Sequence, residues 1–120
     1  MNILVLDDDQ TLHAYYRHIL KRLKGVGVIT MSYDSMSFGR CLAMGDYHVI
    51  ICDIHMAPIM GPEILRDHKS KLEGKEIIML SCSDYLAEES NSLTSDGLNI
   101  RAYLPKPLVP QDLFDILECN

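Results

Sequence analysis

Five short apolar runs punctuate the chain, and the longer amphipathic stretches between them leave few folds open. The runs are Asn2 to Leu6, Val26 to Met31, His48 to Cys52, Glu76 to Leu80 and Ile100 to Leu104. Each has strand length, several are rich in Val and Ile, and polar or Gly-containing segments bound them. Apolar residues on successive positions suit strands covered on both faces. Between the first two runs, Leu12, Tyr15, Tyr16, Ile19, Leu20 and Leu23 recur at helical spacing, with Gly25 as terminator. A second helix is expected from Ser35 to Met44, capped by Asp34 or Ser35 and stopped by Gly45. Pro62 suits the first position of a third, which runs toward Leu72 and Gly74. A fourth, between Ser83 and Asp96, has Leu86 and Leu93 as its main apolar anchors and is expected to be short or mobile. The last covers Pro110 to Glu118, with Leu113, Phe114, Ile116 and Leu117 on its inner side. Five strands alternating with five helices predict an α/β fold, an open, doubly wound parallel sheet whose ligands bind outside the carboxyl ends of the strands.

Composition narrows the setting. A length of 120 residues suits one domain with a real core rather than two. With 48% hydrophobic and 23% charged residues the chain reads as soluble and globular. No apolar run approaches the ~18 residues of a membrane span, and the first run lacks the flanks of a signal peptide. A cytoplasmic location without membrane contact is therefore expected. Cys41, Cys52, Cys82 and Cys119 form no CxxC pair and no zinc-like spacing, so reduced thiols are the expectation. The net charge of −6 weighs against direct nucleic-acid binding, because phosphate contacts need clustered Lys and Arg.

The polar residues that follow the strands all fall on one rim. Asp7, Asp8 and Asp9 follow the first strand, Asp53 the third, Ser81 the fourth and Lys106 the fifth. Two carboxylates ~4 Å apart repel by roughly 4 kcal/mol at an effective dielectric near 20, so such a cluster needs a compensating positive charge. Hard oxygen ligands short of charge describe a Mg²⁺ site, in which one or two carboxylates share the ion with water and phosphate oxygens. Lys106 supplies a second, fixed cation. Asp9 suits a different task, capping the first helix at its positive end. Arg17, Lys21, Arg22 and Lys24 make the end of that helix basic, which favours the opposite pole of its dipole.

Four stretches, in order along nearly the whole chain, carry a resemblance: LVLDD at Leu4 to Asp8, VIICDIHM at Val49 to Met56 with Gly61 eight residues beyond Asp53, IIMLS ending at Ser81, and AYLPKP at Ala102 to Pro107. Together they resemble the CheY-like receiver domain of two-component response regulators. The resemblance implies that residues 1–120 form one receiver domain, a flavodoxin-like (βα)5 sandwich with strand order 2-1-3-4-5. It also implies a division of labour. Asp7 and Asp8 bind Mg²⁺ with Asp53 and the backbone carbonyl of His55, Asp53 accepts the phosphoryl group, Ser81 hydrogen-bonds it, Lys106 pairs with it, and the Tyr103 rotamer reports it. The His55, Cys82 and Ser83 side chains would modulate the site, and the Lys106–Pro107 bond would be cis. The implied donor is a phosphohistidine of a sensor histidine kinase or phosphotransfer protein. The implied recipient is a downstream target or an attached output domain. Such a chain catalyses its own phosphoryl transfer and autodephosphorylation rather than acting as a conventional enzyme. The face made by the fourth helix, the fifth strand and the last helix would change shape, and it is compatible with homodimerisation.

The sequence also departs from that pattern. Ala57 stands where the family usually has proline, with Pro58 displaced by one, so the loop after Asp53 is expected to bend differently. Cys82 replaces a smaller residue, Pro105 restricts strand pairing before Lys106, and the stretch from Ser81 to Lys106 is a few residues long. Two other readings remain open. Asp7 to Leu12 also fits the DxDx[TV]L opening of haloacid-dehalogenase-like phosphatases, with Asp7 as nucleophile and Asp9 as general acid/base. That reading leaves Asp53 idle, and its further acidic pair would have to come from Asp112 and Asp115 in the last helix. The other is a receiver-like interaction module that is never phosphorylated.

Overall fold

Side chains along a strand point alternately to its two faces, so a strand that is apolar at every position must be covered twice. The computed structural model, which describes residues 1–81 and 96–118, meets that demand. Strands β1 (Ile3–Leu6), β2 (Ile29–Ser32), β3 (Val49–Asp53), β4 (Glu76–Ser81) and β5 (Ile100–Pro105) form one parallel sheet in the order β2-β1-β3-β4-β5. Helices α1 (His13–Leu20), α2 (Ser35–Met44), α3 (Gly61–Asp67) and α4 (Pro110–Glu118) are those among the described residues. Leu4, Leu6, Ile50, Cys52, Ile77 and Met79 point into a core layer with Phe38 of α2 and with Ile64 and Leu65 of α3. The alternate residues Ile3, Val5, Val49, Ile51, Ile78 and Leu80 pack with Tyr16, Ile19 and Leu20 of α1 and Leu113 of α4. The helix expected between Ser83 and Asp96 lies, but for Asp96, outside the described residues, as do Cys82 and Cys119.

Local chemistry accounts for most boundaries. Asp34 caps α2 by accepting from the Ser37 amide at 2.7 Å, while the Ser37 hydroxyl returns to the Asp34 amide, so both orphan donors of that turn are satisfied. Helices α2 and α4 keep the bounds expected from sequence. Two others are shorter. Helix α1 is preceded by a 3-10 turn over Gln10–Leu12 and ends at Leu20, although Leu23 remains buried and Gly25 takes the left-handed φ of 73°. Helix α3 ends at Asp67 and gives way to a 3-10 turn over Lys69–Lys71 that still buries Leu72. Strand β2 begins three residues later than expected. Val28 is exposed, and the preceding chain meets β1 through single bonds such as Ile3 N–H to the Val28 carbonyl.

Pro105 does not interrupt pairing. It is the register partner of Ser81, and the Lys106 amide donates to the Ser81 carbonyl at 2.7 Å. Because successive amides face opposite edges of a strand, the missing Pro105 donor faces the side of β5 that has no neighbouring strand among the described residues, where proline is tolerated.

Candidate functional site

Backbone register builds the site before any side chain is considered. Strands β1 and β3 are neighbours, with Leu6 opposite Cys52, so Asp7 and Asp53 lie side by side one step further on. Asp53 in turn lies opposite Leu80, next to Ser81 at the end of β4. Asp7 and Asp53 are buried, whereas Asp8 is exposed. Carboxylate oxygens of Asp7, Asp8 and Asp53 all lie within 4.8 Å of one another, a donor set of hard oxygens suited to a small divalent cation. Asp8 is also tied to the far loop, where its Oδ2 accepts from the Ala57 amide at 3.2 Å. The Ala57–Pro58 and Lys106–Pro107 peptides are both cis.

Asp9 stands outside this cluster. It is exposed and caps the turn that leads into α1, accepting from the hydroxyl and then the amide of Thr11, which lowers its pKa. The phosphatase reading is thereby disfavoured, since its general acid/base is turned to a structural bond while its idle residue, Asp53, sits among the buried acids. Asp115 of α4 accepts from Gln111 on its own helix.

Lys106 enters from the end of β5, its Nζ 3.0 Å from Asp7 Oδ2 and 3.3 Å from Asp53 Oδ2. One ammonium does not balance the pocket. Burial, followed by the charge of Asp7, raises the Asp53 pKa to about 6 even though Lys106 and the His55 amide favour its ionised form. For Lys106, burial opposes the charge, but its bond to Asp7 and the two neighbouring carboxylates outweigh burial and raise its pKa.

The remaining expected residues take distinct places. The His55 amide donates to Asp53 Oδ1 at 3.2 Å, and its Nε2 lies 3.2 Å from the Ser81 hydroxyl, so the imidazole lies over the site as a neighbour of Ser81. Tyr103, opposite Met79 on β5, packs against the layer that contains Phe38, and its hydroxyl oxygen is buried. Cys82 and Ser83 fall outside the described residues. Gly61 closes the floor. A Cβ there would come within 2.0 Å of the Asp53 carbonyl, an approach that glycine alone permits.

Two contributors are missing from the sequence reading. Tyr16, counted there as an apolar helix position, donates its hydroxyl to Asp7 Oδ2 at 2.5 Å, and His13 Nε2 lies 2.9 Å from the Asp7 backbone carbonyl. Burial, reinforced by that bond, pushes the Tyr16 phenol far above its usual range. The available signal was a tyrosine on the buried face of α1, since a buried phenol requires a partner.

The family model of the response regulator receiver domain matches residues 3–118. The chain belongs to that family. Receiver domains are phosphorylation-dependent switches of two-component signalling that generally bind Mg²⁺ at their acidic pocket, and they interact with kinases or phosphotransfer proteins and with output domains. Among solved structures, the chemotaxis response regulator CheY4 of Vibrio cholerae superposes with a TM-score of 0.80 at 22% identity, over 98% of this chain and 95% of that one. The Francisella response regulator 1452 receiver domain gives 0.77 at 22% identity, over 98% and 93%. A Burkholderia pseudomallei response regulator described with a phosphorylated aspartic acid, calcium ion and citrate gives 0.81 at 18% identity, over 99% of this chain and 67% of that one. At these identities the likeness speaks for the shared fold. No curated protein sequence matches the chain. Among the described residues of this receiver domain, no helix is long and apolar enough to cross a membrane.

Proposed function

We propose that Asp53 is the phosphoacceptor of this receiver domain and that a phosphohistidine on a sensor kinase or phosphotransfer protein is the donor. The observation that carries this reading is the place of Asp53: a buried carboxylate 3.3 Å from Lys106 Nζ, inside a cluster of three acids, with its pKa raised to about 6. An oxygen of Asp53 forms the new bond to phosphorus as the P–N bond of the donor breaks, and the bonding pair leaves with the imidazole nitrogen. Such a transfer needs positioning and charge neutralisation more than covalent activation. Lys106 faces both Asp7 and Asp53 and can follow the charge onto the phosphoryl oxygens. Asp7, Asp8, Asp53 and the His55 carbonyl would hold Mg²⁺, which supplies the divalent charge that one lysine lacks.

The product adds charge and strong acceptor oxygens at the end of β3. These can draw the Ser81 hydroxyl away from His55 and, through β4, alter the space beside Tyr103, so that the face around β5 and α4 becomes the output surface. That surface would engage a downstream target, an attached output domain or a second copy of the chain. The test is intact-mass measurement after incubation with acetyl phosphate and Mg²⁺. One acid-stable, base-labile phosphoryl group is expected, and Asp53→Asn abolishes it. Labelling that survives Asp53→Asn but disappears in Asp7→Asn would restore the phosphatase reading, and no labelling from any donor would leave a module that acts unphosphorylated.

A further inference from the structure

Asp7 is held from every side. Its Oδ2 accepts from Tyr16 at 2.5 Å and from Lys106 at 3.0 Å, its Oδ1 accepts from the Asp9 amide at 2.9 Å, and its backbone carbonyl lies 2.9 Å from His13 Nε2. A carboxylate offers about four lone-pair positions. Three are occupied, which leaves one, on Oδ1, for a cation. Of these partners Tyr16 is the one that packing alone does not explain. Its ring belongs to the apolar layer with Ile19 and Leu20, where phenylalanine would fill the same volume, yet it carries a hydroxyl into a buried site and spends it on Asp7.

We propose that Tyr16 is a positioning residue of the acidic pocket: by binding Oδ2 of Asp7, its hydroxyl fixes that carboxylate so that Oδ1 is presented to the divalent cation. The inference rests on the reading of Asp7 as a cation ligand. Groups that orient the ligands of a metal act by removing their rotational freedom, and their loss typically costs 10–100-fold in metal affinity. It follows that α1, which carries Tyr16, is coupled to the occupancy of the pocket.

The experiment compares the full chain with Tyr16→Phe, which keeps the ring and removes the hydroxyl. Magnesium binding is measured by isothermal titration calorimetry, and urea unfolding reports the fold. The expected result is a folded variant whose magnesium dissociation constant rises ~10-fold or more. Its labelling by acetyl phosphate recovers at saturating magnesium, a shift in cation requirement that a packing role does not produce. Chains labelled with ¹³C at the tyrosine Cζ give a second readout. The Tyr16 resonance, identified as the signal absent from the Tyr16→Phe spectrum, moves on magnesium addition to the unsubstituted chain. Equal magnesium affinity in the two chains, or a Tyr16 resonance indifferent to magnesium that binds, overturns the role of Tyr16 and leaves the phosphoacceptor reading intact. A wild-type chain that binds no magnesium overturns both.

Discussion

Replacing Asp53 by Asn should stabilise the domain while destroying its proposed chemistry. The folded chain holds Asp53 at a pKa of about 6 against an ordinary value of 3.8, because burial and the charge of Asp7 disfavour the anion. A folded state that binds the proton more tightly than the unfolded chain loses stability as pH rises through that interval. At 1.36 kcal/mol per pKa unit, the fully ionised group costs the fold about 3 kcal/mol above pH 7, and roughly half of that at pH 5. Asparagine keeps the shape and carries no charge, so the variant should gain about 3 kcal/mol at pH 8 without divalent cations, and about half as much at pH 5. Urea unfolding of both chains at several pH values in EDTA measures the gain. Saturating magnesium should narrow the gap at pH 8, since the cation favours the wild-type anion that the variant lacks. A gain that does not grow with pH, or an Asn variant less stable than wild type at pH 8, would refute the claim that Lys106 compensates the buried Asp53 charge only in part.

Other substitutions probe the remaining parts. Gly61→Ala drives a methyl group to within 2.0 Å of the Asp53 carbonyl, so a loss of about 1–3 kcal/mol is expected in urea unfolding, with weaker magnesium binding as the loop yields. Lys106→Met removes the ammonium shared by Asp7 and Asp53 and should cost roughly 3–5 kcal/mol at pH 8. That cost should shrink at pH 5, where Asp53 is largely protonated, and acetyl phosphate labelling should be lost at both pH values. His55→Ala severs the bond from Nε2 to the Ser81 hydroxyl and should speed labelling by up to ~10-fold, the equivalent of one ordinary hydrogen bond, as followed by mass spectrometry over time. Unchanged or slower labelling would mean that this contact does not restrain Ser81.

Much of the fold could be read from the sequence because burial on both faces leaves a strong mark. The runs ILVL and VIIC, apolar at every position, became β1 and most of β3. Helix α2 was framed by an aspartate that caps and a glycine that stops, and α4 was marked by its row of Leu113, Phe114, Ile116 and Leu117. The ends of α1 and α3 were less legible. In both, an apolar residue beyond the helix, Leu23 or Leu72, stays in the core from a turn, so the periodicity outlasts the helix. At the site, the acids, Ser81 and Lys106 were visible as the residues at the ends of four of the five strands. Tyr16 was not, because hydrophobic spacing records where a side chain is buried and says nothing of what its hydroxyl meets. The effect of Pro105 was misjudged for a related reason. Whether a missing amide matters depends on which edge of the strand it faces, and that follows from sheet order rather than from the local sequence.

The pairing of Leu6 with Cys52 has one more implication. Asp7 and Asp53 continue two adjacent strands past that rung, so the sheet's own lattice spacing, near 4.8 Å, sets how far apart the two acids are anchored, and no loop has a say in it. Loops at the rim, such as the one that carries the displaced proline Pro58, can therefore differ in length and composition without changing the spacing at which Asp7 and Asp53 leave the sheet.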